Sequence, residues 1–151
     1  TGQAIRSEGA GKLGEGRPSG TCLWRLDKIA FVDGALGDKD PGEGRKFVAA
    51  TMSFKNVSKD PQQVGYMINN GNRGHPLVLV DTDSEKYEEE VVFKASRDED
   101  IDGGHEIAPG DSYTVRVLVA VPKDVTLKKI TYGMPGGYVY TVPEADFPKS
   151  P

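Results

Sequence analysis

The 151 residues include 36% hydrophobic residues, which is enough for one hydrophobic core and predicts one folded domain. The net charge of −4, built from charges of both signs, offers no broad basic field, so neither nucleic acid nor an anionic membrane surface is expected as a partner. No stretch approaches the roughly 20 consecutive apolar residues of a membrane-spanning helix, and the single cysteine excludes an intrachain disulfide.

Residues 1–20 contain six glycines and show no apolar periodicity. Because glycine loses more backbone entropy on ordering than any other residue, no strand or helix should form here unaided. We therefore expect a flexible Gly-rich tail, followed by a folded domain over residues 21–151. A polar start without Met is typical of a mature chain after loss of an export signal or lipoprotein leader, and equally of a chain trimmed for expression. Loss of the tail should change the stability little.

The segment CLWRLDKIAFV is the first predicted strand. Its apolar residues share one face if a one-residue slip at positions 27–28 is allowed: Cys22, Trp24, Leu26, Ile29 and Phe31. A β-bulge absorbs one extra residue in this way, so we predict a bulge at the slip.

Two further segments, KFVAATMSFKNVS and SYTVRVLVAV, alternate clearly. Their expected buried faces are Val48, Ala50, Met52 and Phe54 in the first, and Tyr113, Val115, Val117, Val119 and Val121 in the second. Shorter strands are predicted at VGYMI, LVLV, VVFKA, LKKITYGM and GYVYTV, with a return strand around Tyr87. No window shows helical periodicity, so the fold class is all-β, an antiparallel immunoglobulin-like β-sandwich of about 7–9 strands.

Three pieces of the chain carry a family resemblance: FVAATMSFKNVSKDP, LVLVDTDSEKY and EIAPGDSYTVRVLVAVPKDV. Together they resemble the small immunoglobulin-like domains of bacterial secreted lipoproteins and exported antigens. The resemblance implies a secreted or cell-envelope location, a non-enzymatic binding or accessory role and another envelope protein as partner, and it supplies no catalytic residues. Asn56 is expected to cap the end of its strand, and Pro109 and Gly110 to form a type II turn.

The stretch DEDIDGGHEIAPGD is the first candidate metal site. Asp98, Asp100 and Asp102 are spaced like the first ligands of a calcium loop, and Glu106 falls at the ninth position. The twelfth position, which needs a bidentate Glu, is Pro109, so an EF-hand is excluded. A less regular calcium site and a solvated acidic turn both remain open.

A second acidic cluster contains Asp81, Asp83 and Glu85 at the same spacing. If both loops lie at one end of the sandwich they could share a calcium ion, which takes six to eight oxygen ligands. The alternative is a β-turn in which Asp81 accepts a hydrogen bond from its own backbone two residues on.

Both histidines, His75 and His105, lie in Gly-containing loops. Copper- and zinc-dependent superoxide dismutases share the sandwich architecture, so a copper redox site is a further alternative. Such a site uses three or four imidazoles, and these two would need a carboxylate, Met67 or Met134 to complete it. If the chain is an enzyme, a metal-dependent oxidoreductase of this type is the first candidate; the sequence favours a non-enzymatic protein.

Two remaining features are candidates for reactivity or binding. Cys22 shares a strand face with apolar residues, which indicates a buried, unreactive thiol. The carboxy-terminal segment carries Tyr138, Tyr140 and Phe147 among prolines. These aromatics either close an edge of the sandwich or form a contact patch for another envelope protein.

Overall fold

Long strands in which every second side chain is apolar form the frame of the protein. The computed structural model describes residues 6–10, 17–19, 22–64, 77–88, 91–94, 99–100, 104–134 and 138–149, with side chains for 22–64, 77–88, 104–132 and 140–149. Thirteen strands lie in these ranges: β1 Arg6–Ala10, β2 Arg17–Ser19, β3 Cys22–Val32, β4 Arg45–Asn56, β5 Gln62–Gln63, β6 Leu77–Asp81, β7 Lys86–Glu88, β8 Val91–Lys94, β9 Glu99–Asp100, β10 Glu106–Ile107, β11 Ser112–Pro122, β12 Leu127–Met134 and β13 Tyr138–Thr141. A 3-10 turn, Glu144–Asp146, follows β13.

The strands form two main sheets and one small one. The first has the order β2-β3-β4-β11-β8-β9 and the second the order β1-β13-β12-β6-β7, while β10 pairs with β5. All described pairs are antiparallel except β1 with β13. The predicted all-β antiparallel sandwich is therefore confirmed.

The main core lies between the two sheets. Its largest fully buried side chains come from both layers: Leu26, Met52 and Phe54 from the six-stranded sheet, and Leu77, Leu79, Ile130 and Tyr132 from the five-stranded sheet. The predicted inward faces of β4 and β11 are confirmed, with Tyr113 only partly buried against this core. Burial of these apolar surfaces is the main stabilising term for the fold.

The predicted bulge in β3 is also confirmed. The pairing of β3 with β4 shifts by one residue between Leu26 and Lys28, so that Leu26 pairs with Met52 and Lys28 with Thr51. Ile29 thereby returns to the core face, where it is 6% exposed. Asp27 is the extra residue and extends from the opposite face of the sheet, where it bonds to Ser53.

A second, smaller cluster occupies one half of the outer face of the six-stranded sheet. It contains the buried side chains Phe47, Ala49, Leu118 and Ala120, with Val32 and Leu36 packed against them. The sequence predicts a single buried face for β4, and this part of the prediction is wrong. The connection between β3 and β4 is responsible, because it places Leu36 over the outer face.

The structure adds strands that local sequence does not predict. Residues 1–20, where no strand is expected to form unaided, contain β1 and β2, which pair with β13 and β3 and so obtain hydrogen-bond partners from sheet edges. The described strands outnumber the predicted 7–9 because five short segments that the sequence does not predict, β1, β2, β5, β9 and β10, are also strands. The predicted strand VGYMI lies outside the described residues apart from Val64, which is not in a strand.

Candidate functional site

The other half of the outer face of the six-stranded sheet is polar, and several of its described side chains are exposed to solvent. Three rows of paired residues cross β3, β4 and β11, and the bulge residue adds a tenth member. This surface, here called the polar half, consists of Leu23, Lys55 and Ser112; Arg25, Ser53 and Thr114; Lys28, Thr51 and Arg116; and Asp27. Adjacent strands of a sheet lie about 4.8 Å apart, so the rows form one continuous patch.

A hydrogen-bonded line runs through the middle row. The guanidinium Nε of Arg25 donates to Oδ1 of Asp27, and the hydroxyl of Ser53 donates to Oδ2 of the same carboxylate. The Ser53 hydroxyl also lies 3.3 Å from the hydroxyl of Thr114 on the next strand. Ser53 is only 9% exposed, so this line holds the Arg25 and Asp27 side chains in one arrangement.

The rest of the polar half is accessible to solvent. Lys28, Lys55 and Ser112 are exposed, and half of the Arg25 side chain is accessible. Leu23 is 37% exposed and is one of two exposed large hydrophobic residues among the described side chains. The patch thus combines hydrogen-bonded polar groups with solvent-exposed cationic ones.

The acidic turn after β6 is organised around the carboxylate of Asp81, which is 8% exposed. Its Oδ1 accepts hydrogen bonds from the backbone N–H groups of Asp83 at 2.8 Å and Glu85 at 2.9 Å, and its Oδ2 accepts one from the hydroxyl of Tyr87 at 2.8 Å. Burial by itself raises the pKa of Asp81, but the bonds from Glu85, Tyr87 and Asp83, with the nearby charge of Lys128, outweigh it and lower the pKa. Protein donors alone therefore provide the hydrogen bonds of the Asp81 carboxylate, in agreement with the β-turn alternative. The side chain of Asp83 is exposed.

The structure describes only some of the remaining candidate metal ligands. His105 and Glu106 are exposed, and the His105 ring lies 5.9 Å from the ring of Tyr113. Asp100 is in β9, while Asp98, Asp102 and His75 lie outside the described residues, as does Met67. Among the side chains that are described, no three His, Cys, Asp or Glu groups converge on a common point.

Two of the three carboxy-terminal aromatics, Tyr140 and Phe147, belong to the main core or pack against it. Tyr140 is 7% exposed and its ring lies 5.6 Å from that of Tyr132, while Phe147 is half-buried against the main core. Tyr138 is in β13, and its side chain is outside the described set. Tyr140 therefore has little surface to offer a partner.

Cys22 is a buried thiol, as the sequence predicts. It is 2% exposed, and burial raises its pKa to about 11. The thiolate, which is the nucleophilic form, is thus scarce at neutral pH.

The sequence did not reveal the polar half. Asp27 and Ser53 are 26 residues apart, and Ser53 and Thr114 are 61 apart, so no local motif contains them. A signal was present, however, because the outward positions change from apolar to polar part-way along β4, and from polar to apolar along its antiparallel neighbours β3 and β11.

No family model matches the chain, and no curated protein matches it. Several solved structures are similar to the chain. It is similar to an uncharacterised β-sandwich protein from Clostridium difficile 630, with 15% identity, a TM-score of 0.62 and coverage of 95% of this chain and 99% of that one. A conserved hypothetical protein from Bacillus anthracis has 16% identity, a TM-score of 0.57 and coverage of 87% and 94%.

A secreted protein from Mycobacterium tuberculosis, MPT63, is a third similar structure, with 14% identity, a TM-score of 0.55 and coverage of 92% of this chain and 98% of that one. At these identities the likeness shows the fold alone. The resemblance drawn from the sequence, to small sandwich domains of exported bacterial proteins, is thereby confirmed at the level of the fold. Within the described part of the chain, no helix has the length and apolar character needed to span a membrane.

Proposed function

We propose that this chain is a non-enzymatic binding or accessory domain of a bacterial cell envelope, and that the polar half is its binding surface. The observation that carries the proposal is the hydrogen-bonded line Arg25–Asp27–Ser53–Thr114, which lies between the exposed side chains of Lys28 and Lys55 on one sheet face. A surface whose polar groups are already held in place has less entropy to lose on binding. The secreted protein among the similar structures supports an extracellular location.

The chemistry of the described side chains supports binding rather than catalysis. The Ser53 hydroxyl is buried, and its carboxylate partner Asp27 also accepts a hydrogen bond from Arg25. Both oxygens of the Asp27 carboxylate are thus already engaged, one by Arg25 and one by Ser53. The only cysteine is buried with a raised pKa.

Cell fractionation and sedimentation with isolated envelopes test this proposal. An antibody should find the protein in the envelope or culture medium of the source bacterium. Purified protein should sediment with isolated envelopes, and the double variant Lys28→Ser/Lys55→Ser should sediment less. The matched control is Lys123→Ser/Lys129→Ser, which removes the same charge from exposed sites outside the polar half. Equal retention of wild type and both variants would show that the polar half is not the binding surface.

A further inference from the structure

The polar half has the opposite charge to the chain as a whole. Its described side chains include four basic residues, Arg25, Lys28, Lys55 and Arg116, and one acid, Asp27. Its formal charge is therefore +3, whereas the complete chain carries −4. A local field of this sign attracts anions even though the protein is acidic overall.

The neutral members of the polar half are mostly hydroxyl groups. Thr51 and Thr114 are partly exposed and Ser112 is exposed, and these three alternate with the cationic side chains across the rows. Arg, Lys, Ser and Thr are the side chains that contact phosphate oxygens in complexes with phosphodiester backbones. The combination of residue types thus matches a phosphate ligand in both charge and hydrogen-bond donors.

Three other ligand classes fit less well. Single-stranded nucleic acid stacks successive bases on several aromatic side chains. None of the ten members of the polar half is aromatic, and the one aromatic residue paired with them is Phe93, the partner of Arg116 on β8. Stable protein interfaces centre on buried aromatic or aliphatic anchors, whereas Leu23 is the one large apolar residue of the patch. Stable anchoring to a membrane needs apolar groups that enter the bilayer beside the basic ones, and Leu23 alone could supply them here.

We propose, building on the binding function above, that the polar half binds a linear phosphodiester polymer of the cell envelope. Arg25, Lys28, Lys55 and Arg116 supply the charge that attracts the polymer, and the hydroxyl groups of the rows donate to its phosphate oxygens. Asp27 holds Arg25 in position through the bond from its Nε, and half of the Arg25 side chain remains accessible to a ligand.

The test uses a synthetic glycerol phosphate oligomer and isothermal titration at several salt concentrations. Wild type should bind, and the logarithm of the affinity should fall linearly with that of the salt concentration. Lys28→Ser/Lys55→Ser should weaken binding by about tenfold at low salt and reduce the salt slope by about 1.4, the value for two fewer charge contacts. The control Lys123→Ser/Lys129→Ser should bind like wild type. Arg116→Gln, checked by thermal melting, provides an independent variant on a different strand.

The same isothermal titration is carried out with three competing ligands. Poly-L-glutamate, single-stranded DNA and phosphatidylglycerol vesicles are titrated at matched charge, and each should bind at least several-fold more weakly than the oligomer. Equal or tighter binding of any of them would overturn the phosphodiester assignment in favour of an acidic protein, a nucleic acid or a lipid surface. If the oligomer does not bind but sedimentation with envelopes still depends on Lys28 and Lys55, this inference fails while the proposed binding function stands.

Discussion

The side-chain amide of Asn56 donates a 2.9 Å hydrogen bond to the carbonyl of Ile107, 51 residues further along the chain. The same amide group donates to the carbonyl of Asp60 at 2.8 Å, and its Oδ1 accepts bonds from the backbone and hydroxyl of Ser58. Asn56 is completely buried at the end of β4. One side chain therefore joins the end of a strand, the following turn and the small β5–β10 sheet.

Asn56→Ala should lower the free energy of unfolding by about 2 to 4 kcal/mol, because it leaves buried carbonyl groups without their donors. Urea denaturation measures the loss. The control Ser58→Ala keeps Asn56 and both of its donated bonds, so it should cost about 1 kcal/mol or less. Equal costs for the two variants would mean that the Asn56 bonds to Ile107 and Asp60 contribute nothing to stability.

The carboxylate of Asp81 should make stability depend on acid pH. Its pKa is lowered in the folded chain, so the ionised form stabilises the fold above the ordinary pKa, and this contribution is lost as the pH falls through the folded-state value, below about pH 4. Thermal melting should therefore show Asp81→Asn as less stable than wild type at pH 7, with the difference shrinking below pH 4.

Two variants check the cause of this pH dependence. Tyr87→Phe removes the donor to Oδ2 and should reproduce part of the effect, while Asp83→Asn changes an exposed side chain and keeps the backbone donor. Asp83→Asn should thus follow the wild-type curve. A difference between Asp81→Asn and wild type that stays constant down to pH 2 would argue against a lowered pKa.

Trp24 fills the centre of the main core, with its ring 5.4 Å from Phe54 and 5.3 Å from Tyr132. Trp24→Ala should cost about 3 to 5 kcal/mol, because it removes a large buried side chain. Within the described structure its Nε1 has no hydrogen-bond partner, so Trp24→Phe should cost clearly less. The exposed neighbour Leu23 gives the control, with about 0.5 kcal/mol expected for Leu23→Ala. A small cost for Trp24→Ala would be incompatible with its buried position.

Calcium binding by the acidic loops remains a proposal that melting experiments can decide. We expect no rise in melting temperature with calcium beyond that with magnesium, because Pro109 replaces the ligand that a calcium loop most needs and Asp81 is already bonded to protein donors. Asp100→Asn should then be neutral or slightly stabilising, since it reduces repulsion among neighbouring acids. A rise of several degrees with calcium alone, lost in Asp100→Asn, would instead establish a metal site.

The strands β1 and β2 should contribute little to the free energy of unfolding of the domain. Both β1 and β2 are terminal strands of their sheets and are short. Deletion of residues 1–18 should therefore lower the melting temperature by less than about 4 °C, roughly 1 kcal/mol for a domain of this size. A larger loss would move the start of the folded domain into the segment predicted as a tail.

Several parts of the structure follow from local sequence. Alternation of apolar residues identifies β3, β4 and β11 with their core faces, because successive side chains of a strand point to opposite sides whatever the strand pairs with. The slip at positions 27–28 predicts the bulge for the same reason. The turn at Pro109 and Gly110 is likewise local: Gly110 has a φ of +87°, and the N–H of Asp111 donates to Ala108.

Only the tertiary structure decides which residues meet across strands. The outer face of β4 alternates like any solvent-facing surface, yet Leu36 covers Phe47 while Ser53 remains next to Asp27 and Thr114. Asp81 belongs to an acidic run typical of an exposed turn, but packing brings the Tyr87 hydroxyl onto it and leaves it almost inaccessible. These contacts depend on the register between strands and on the path of the connections. Both are set by the packing of the whole core, which no single stretch of sequence contains.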